Sequence, residues 1–244
     1  MAKIETTKGV LYFSPKTIYP GIKQIDKEIA FENLKIVAEI MNSSGLKWGP
    51  VYGSLLGIIR DNDFITWDED IDLFILEEEK EKFLPLLFDF KALGFEVIRY
   101  LRCGLISIMR NGEYIDFYIL KKIGEGVRSA IGVAYLFEKN VTDMVTWNFK
   151  GIKLPIPRDY EEFLEFKYGD WKTPVQYMDY EMNSFMRWKT KTRLYIINHL
   201  PDFLYYPLFR RHHQKDLNKF INTCKQKGVV IPSTLSLKNY KKQQ

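Results

Sequence analysis

The sequence predicts an α+β fold, a mixed β-sheet with flanking helices followed by a mostly helical C-terminal region. Three observations predict it. Apolar residues near the N-terminus recur at helical spacing, short apolar runs separated by turn signals fill residues 71–120, and from 175 onward the periodicity is again helical. At 244 residues the chain has room for one large domain, or for a domain with an appendage. We expect a division into residues 1–175, which carry the sheet, and residues 176–244, a helical region rich in basic and aromatic side chains.

Ile25, Ile29, Leu34, Val37, Ala38 and Met41 recur at roughly helical spacing, and Asn42-Ser43-Ser44-Gly45 supplies a stop. The pattern predicts a helix over 22–43. Leu46 to Ser54 leads to a glycine motif, and Leu55 to Arg60 is predicted to make one or two helical turns. Ile71-Asp72-Leu73-Phe74-Ile75-Leu76 reads as a strand. Glu77 to Leu93 reads as a helix with Gly94 just past its end, and Pro85 within it predicts a bend or a restart. Phe95 to Tyr100, Leu105 to Arg110 and Tyr114 to Leu120 are three apolar runs, the last two joined by the hairpin signal Asn111-Gly112. Trp147 to Pro157 reads as a further extended pair around Lys150-Gly151, and Asp159 to Tyr168 as a short helix.

Composition bounds the function. An apolar fraction of 46% and a charged fraction of 27% are ordinary for a globular protein. The net charge of +5 suits phosphate-bearing partners or an anionic membrane surface. No RRM, KH or helix-turn-helix pattern accompanies it, so no nucleic-acid partner is expected. Cys103 and Cys224 form neither a CxxC pair nor a zinc-ligand spacing and read as two idle thiols. The N-terminus lacks a long apolar h-region and no stretch approaches about 18 uncharged apolar residues, so the expected location is cytoplasmic.

The chemistry is concentrated in GSLLGIIRDNDFITWDEDIDLFIL, residues 53–76. Four acids, Asp68, Glu69, Asp70 and Asp72, fall within five positions at the mouth of an apolar strand. Repulsion and desolvation oppose that crowding unless positive charge sits there. Side chains alternate along a strand, so Asp70 and Asp72 share a face, and Glu69 points away from it. Asp116, inside Glu113-Tyr114-Ile115-Asp116-Phe117-Tyr118-Ile119, can reach that face from an adjacent strand as a third carboxylate. Converging carboxylates suit a hard cation such as Mg²⁺ together with substrate phosphates, and two such ions can clamp a phosphoryl transfer. The Gly53-Ser54 backbone opening a helix offers N–H donors to phosphate. Leu73 stands where a calcium-binding EF-hand loop needs glycine, which excludes that reading.

In this order the residues resemble a family. Gly53-Ser54-x-x-Gly57, the Asp70-x-Asp72 strand and the later Asp116 are similar to the nucleotidyltransferase superfamily. YGSLLGIIRDNDFITWDEDIDLFI resembles, more narrowly, the signature of the LicD/fukutin family, roughly YG[ST]LLG…R…[FY]IPWDDDID. Leu154-Pro155-Ile156-Pro157, Tyr160-Glu161-Glu162-Phe163-Leu164 and Tyr168-Gly169-Asp170-Trp171 extend the likeness, which runs over about residues 35–175. Thr66 stands where proline is usual, and Glu69 replaces the usual middle aspartate. The cysteine-based zinc site of some animal relatives has no counterpart here, so no structural zinc is expected.

The resemblance implies a nucleotidyltransferase-like catalytic domain over 1–175. It implies transfer of a phospho-alcohol, phosphocholine or an alditol phosphate, from a CDP-linked donor to a hydroxyl of a surface glycan such as lipopolysaccharide, teichoic acid or capsule, with release of CMP. Asp70 and Asp72 would bind Mg²⁺ or Mn²⁺. Asp116 would complete that set and take the acceptor's proton, and Asp68 would be a further ligand or an anchor. Gly53 and Ser54 would cradle donor phosphate. Arg60 would pair either with that phosphate or with the acids, and Trp67 would stack on the base or pack beneath its loop. Two competing readings share these residues: movement of a nucleoside monophosphate with release of pyrophosphate, and a binding module whose active site has decayed.

From Met186 to His213 aromatic and aliphatic residues interleave with Lys and Arg. That composition fits a helix lying on an anionic bilayer, useful for a lipid-linked acceptor, and equally a helical cap packed on the first domain. His212-His213 has no ligand partners nearby in sequence, and the terminal KNYKKQQ reads as a frayed, solvated end.

Overall fold

The computed structural model describes residues 1–18, 23–176, 188–189, 192, 195–197, 199–232 and 234–240. Its central sheet has the order β3-β4-β7-β6-β5, formed by Trp48–Pro50, Ile71–Leu76, Glu113–Gly124, Leu105–Arg110 and Glu96–Leu101, with β8 (Val127–Ala130) and β9 (Ala134–Phe137) continuing from β7. β4 runs parallel to β7 while β3 and the other pairs are antiparallel, so the sheet is mixed, as the sequence predicts. Every residue of β4 is buried, which explains why Ile71 to Leu76 reads as apolar without alternation.

Two hairpins stand apart from this sheet. β1 (Ala2–Thr6) and β2 (Gly9–Phe13) form one, and β10 (Met144–Phe149) and β11 (Ile152–Pro157) form the other. The second matches the extended pair expected around Lys150-Gly151, whose positive φ values of 49° and 92° make the tight turn. Asn111 and Gly112 do the same between β6 and β7, at φ 53° and 86°.

The helix α1 (Lys27–Ser43) begins five residues later than its apolar spacing predicts. Asp26 caps it by accepting from the amides of Glu28 and Ile29, at 3.1 and 3.2 Å. Ala30, Leu34, Val37, Ala38 and Met41 face the core. α2 (Tyr52–Arg60) carries the glycine motif. Glu77 to Leu93 is not one helix: a 3₁₀ turn over Glu77–Glu79 leads into α3 (Lys80–Phe83), and the chain restarts as α4 (Leu86–Ala92) after Pro85. Proline lacks the N–H that a continuous helix would need, and Gly94 at φ 88° ends the segment. α5 (Lys139–Thr142) and α6 (Tyr160–Tyr168) flank β10 and β11 in sequence.

Of the C-terminal region, α7 (Asp202–Gln226) is the long described helix. It buries Tyr205, and it places Leu217, Phe220 and Cys224 in a cluster with Cys103, Ile123, Val127, Leu237 and Tyr240. Arg102 donates to the Leu200 carbonyl at 2.5 Å and lies over the Tyr205 ring, which ties α7 to the end of β5. Met186, Arg187, Lys191, Arg193 and Leu194 of the basic-aromatic stretch lie outside the described residues. The expectation of a solvated KNYKKQQ end is corrected at Tyr240. Its ring is fully buried, and its hydroxyl bonds Ser129 and the Gly132 amide at 3.0 to 3.1 Å. An aromatic hydroxyl with internal partners is worth burying even at a chain end; residues 241–244 lie outside the description. Both cysteines are buried and free. No described helix is long and apolar enough to cross a membrane.

Candidate active site

The site begins with strand register. Asp72 on β4 sits opposite Asp116 on β7, Asp116 opposite Ser107 on β6, and Ser107 opposite Arg99 on β5. Side chains in such a row share one face of the sheet. Arg99 uses it fully, with Nη2 donating to Asp116 Oδ2 at 2.5 Å and Nε donating to Ser107 Oγ at 2.8 Å. Asp70, just before β4, completes the arrangement. One carboxylate oxygen from each of Asp70, Asp72 and Asp116 lies within 4.8 Å of the others. Asp68 is not in that group.

The glycine motif shapes the mouth of the site. The Asp72 N–H donates to Ser54 Oγ at 2.7 Å and the Val51 N–H to the Asp72 carbonyl at 3.0 Å, so α2 is fastened to the start of β4. Ser54 is itself buried, and its hydroxyl holds the backbone that carries Asp72. Gly53 is needed for close approach, since a Cβ there would lie 2.3 Å from Asp68 Oδ2. Gly57 has the same reason four residues on, where a Cβ would meet the Asp63 carbonyl at 2.6 Å. Tyr52, at the first position of α2, has φ 55°, a left-handed conformation that strains a bulky residue.

The electrostatics show what the site lacks. Burial, then repulsion from Asp72, Asp116 and Asp68, pushes the Asp70 carboxyl well above its usual range. Burial and the charges of Asp116 and Asp68 do the same to Asp72, opposed by a hydrogen bond from Tyr118 and by Lys167. Asp116 is raised by burial, with Arg99 and Ser107 pulling it back. Asp68 is raised by burial. Asp116 Oδ1 is buried with no hydrogen-bond partner. Three converging carboxylates of raised affinity for positive charge, one with an orphaned oxygen, fit a divalent cation. The residues that would hold it are Asp70, Asp72 and Asp116.

The remaining predicted residues fall to one side. Arg60 pairs with its neighbour Asp61 through Nε and Nη2, at 2.8 and 2.7 Å, rather than with the acid cluster. It lines a cavity of 240 Å³ together with Gly53, Trp67, Asp68, Tyr168 and Trp171. Trp67 is half-buried and packs against the apolar cluster beneath its loop. Sequence reasoning missed Arg99 and Lys167. Arg99 lies in the unremarkable run EVIRYL, and only a hydrophilic residue inside an apolar strand signals it. Lys167 immediately precedes Tyr168-Gly169-Asp170-Trp171.

Residues 47–119 match the family described as LicD/FKTN/FKRP, nucleotidyltransferase domain. The match covers β3 through most of β7 and so contains Asp68, Asp70, Asp72, Arg99 and Asp116. An uncharacterized protein of Rickettsia typhi is 24% identical over 145 residues, which are 58% of this chain and 46% of that one. The chain thus spans about half the length of this curated relative. Among solved structures, the lincosamide antibiotic adenylyltransferase LnuA bound to lincomycin is 12% identical with a TM-score of 0.40, covering 66% of this chain and 93% of its own. ANT(2")-Ia in complex with adenylyl-2"-tobramycin is 16% identical with a TM-score of 0.40, covering 79% and 99% respectively.

Proposed function

We propose that the chain is a divalent-cation-dependent transferase that moves a phospho-alcohol from a CDP-linked donor to a hydroxyl of a surface glycan, releasing CMP. The observation that carries this reading is the triad of Asp70, Asp72 and Asp116 on one face of the sheet, a cation-demanding arrangement within a LicD-matching segment. Mg²⁺, or Mn²⁺, bound there would neutralise the diphosphate and orient it for displacement. The protein's own contribution is positioning. Ser54 holds the Asp72 backbone, Arg99 and Ser107 hold one oxygen of Asp116, and the orphaned Oδ1 stays free to meet the substrate side.

In this reading the acceptor hydroxyl attacks the phosphorus next to the alcohol, Asp116 takes the hydroxyl's proton, and CMP leaves. The amide end of α2 at Gly53 and Ser54 faces donor phosphate. The cavity lined by Arg60, Trp67, Asp68 and Trp171 receives the nucleoside, with Trp67 against the base and Asp68 anchoring the mouth. Residues 1–175 form the catalytic domain. Residues 176–244 contact the acceptor, which brings the chain to a cytoplasmic membrane face where that acceptor is lipid-linked.

The test is a product assay. CDP-choline, CDP-ribitol and CDP-glycerol are each incubated with Mg²⁺ and bacterial surface glycans, and released CMP and pyrophosphate are measured. CMP release supports the reading. Pyrophosphate from a nucleoside triphosphate, with no CMP from any CDP-alcohol, would replace it with nucleotidyl transfer. Donor-dependent thermal stabilisation without any turnover would point to a binding module.

A further inference from the structure

Lys167 leaves α6 and places Nζ 4.3 Å from the centre of the Tyr52 ring. Tyr52 meets Tyr118 edge to face, with centroids 5.1 Å apart and planes at 90°, and the Tyr118 hydroxyl bonds Asp72. The aromatic pair therefore links the ammonium to the Asp72 carboxylate, which attracts it. Among the described residues no carboxylate forms an ion pair with Lys167, whereas Lys121 and Arg99 each have one and Arg128 has two. Burial pushes its ammonium down to about 8. Lys167 is half-buried, and a cation partly withdrawn from water without an ion pair costs stability in a folded protein.

A second orphan lies against it. The Tyr52 hydroxyl is buried with no hydrogen-bond partner, on a residue whose left-handed φ of 55° is retained at the start of α2. Backbone strain together with an unsatisfied buried donor marks a position that the surroundings over-determine. Among the described residues, Arg60 is engaged by Asp61 and Arg99 by Asp116.

We propose that Lys167 and Tyr52 form an oxyanion subsite beside the carboxylate triad, which binds a non-bridging phosphoryl oxygen of a nucleoside diphosphate-linked substrate. The assignment rests on the function proposed above and deepens it, moving the phosphate-binding cation from Arg60 to Lys167. Lys167 supplies a charge-assisted N–H donor and Tyr52 a hydroxyl donor, both in a desolvated setting where such donors act most strongly on charge that develops on phosphate. The Tyr52 ring holds the ammonium in place through its face, so the aromatic stack serves as the support for the cation.

The experiment measures binding of CDP in the presence of Mg²⁺ by isothermal titration calorimetry, with Mn²⁺ binding alone followed by electron paramagnetic resonance. Lys167→Met keeps the apolar stem and removes the charge. It should weaken CDP binding at least tenfold while Mn²⁺ alone binds within twofold of wild type. Lys167→Arg should recover part of that loss, and Tyr52→Phe should cost a smaller, severalfold factor. Unchanged CDP affinity in Lys167→Met would overturn the subsite, as would a parallel loss of Mn²⁺ binding, which would make Lys167 structural. Wild-type protein that binds neither CDP nor inorganic pyrophosphate would also overturn it. A subsite that passes this test in a protein releasing no CMP from any CDP-alcohol would leave the subsite standing and remove the transfer reaction.

Discussion

Two groups of buried charge lie on this sheet, and they are built on opposite principles. Near the far end of β7, Arg128 on β8 is 1% exposed and forks onto Glu78 at 2.6 and 2.8 Å, with Glu138 at 2.8 Å and the Leu120 carbonyl at 3.2 Å. Lys121 beside it pairs with Glu77 at 2.9 Å. Here every acid finds a cation, and Arg128 pulls Glu78 below its usual range. At the start of β4 and β7 the balance reverses. Asp70, Asp72 and Asp116 converge with Arg99 as the one bonded cation among the described residues, and all three carboxyls are pushed up. Paired charge holds the fold, and the under-compensated carboxylates are the group that we propose meets a cation and substrate phosphate.

That contrast is easiest to break at the triad. Asp116→Asn should lower CMP release between a hundredfold and a thousandfold, as expected when a group acting on transition-state charge is lost. Asp72→Asn should do the same. Near-wild-type turnover in either variant, measured with Mg²⁺ present, would mean the carboxylates are not the reaction centre. Arg128→Met attacks the other group. It should lower unfolding stability by about 2 kcal/mol, below the range for a fully buried pair because Glu78 can turn to solvent. Activity per folded molecule should be retained, and a urea titration alongside the CMP assay checks both halves.

A smaller effect separates the two groups by sign. In metal-free protein Asp72→Asn should raise the melting temperature by about 2–4 °C, which corresponds to about 1 kcal/mol in a chain of this size. It should also abolish the increment that Mg²⁺ confers on wild type. The sign follows from the raised carboxyls. Asp70 and Asp72 hold protons in the folded chain at pH values where the unfolded chain has released them. The penalty is therefore absent below about pH 4, the unfolded carboxyl range, and grows as pH rises toward the folded-state values. The gap between Asp72→Asn and metal-free wild type should widen over that interval by differential scanning fluorimetry. A gap that narrows would show that the cluster is already compensated. The smallest change is Tyr240→Phe, which removes a buried hydroxyl bonded to Ser129 and Gly132. It should cost about 1 kcal/mol in chemical denaturation and leave CMP release unchanged.

Much of this molecule was legible in advance, for identifiable reasons. β4 and β7 read as strands because their residues are apolar on both faces, and the hairpins at Asn111-Gly112 and Lys150-Gly151 announce themselves through residues that tolerate positive φ. The hairpin of β1 and β2 was missed because only Ile4, Leu11 and Phe13 are buried, too few for a clear alternation. β8 and β9 were missed because each has only four residues, and a buried arginine breaks the apolar signal of β8.

The local sequence by itself determined the acid motif, the parity that puts Asp70 and Asp72 on one face, and the small residues at Gly53 and Gly57. These depend on strand period and side-chain size, which are properties of neighbouring residues. Tertiary structure alone decided that Asp116 stands in register with Asp72 and that Arg99 reaches it across β6. It alone decided that Arg60 turns to Asp61 while Lys167 comes to rest over Tyr52. Apart from Arg60 and Asp61, which are neighbours, those pairings join residues 17 to more than 100 positions apart, and their energies depend on burial and distance, quantities that exist only once the chain has closed on itself.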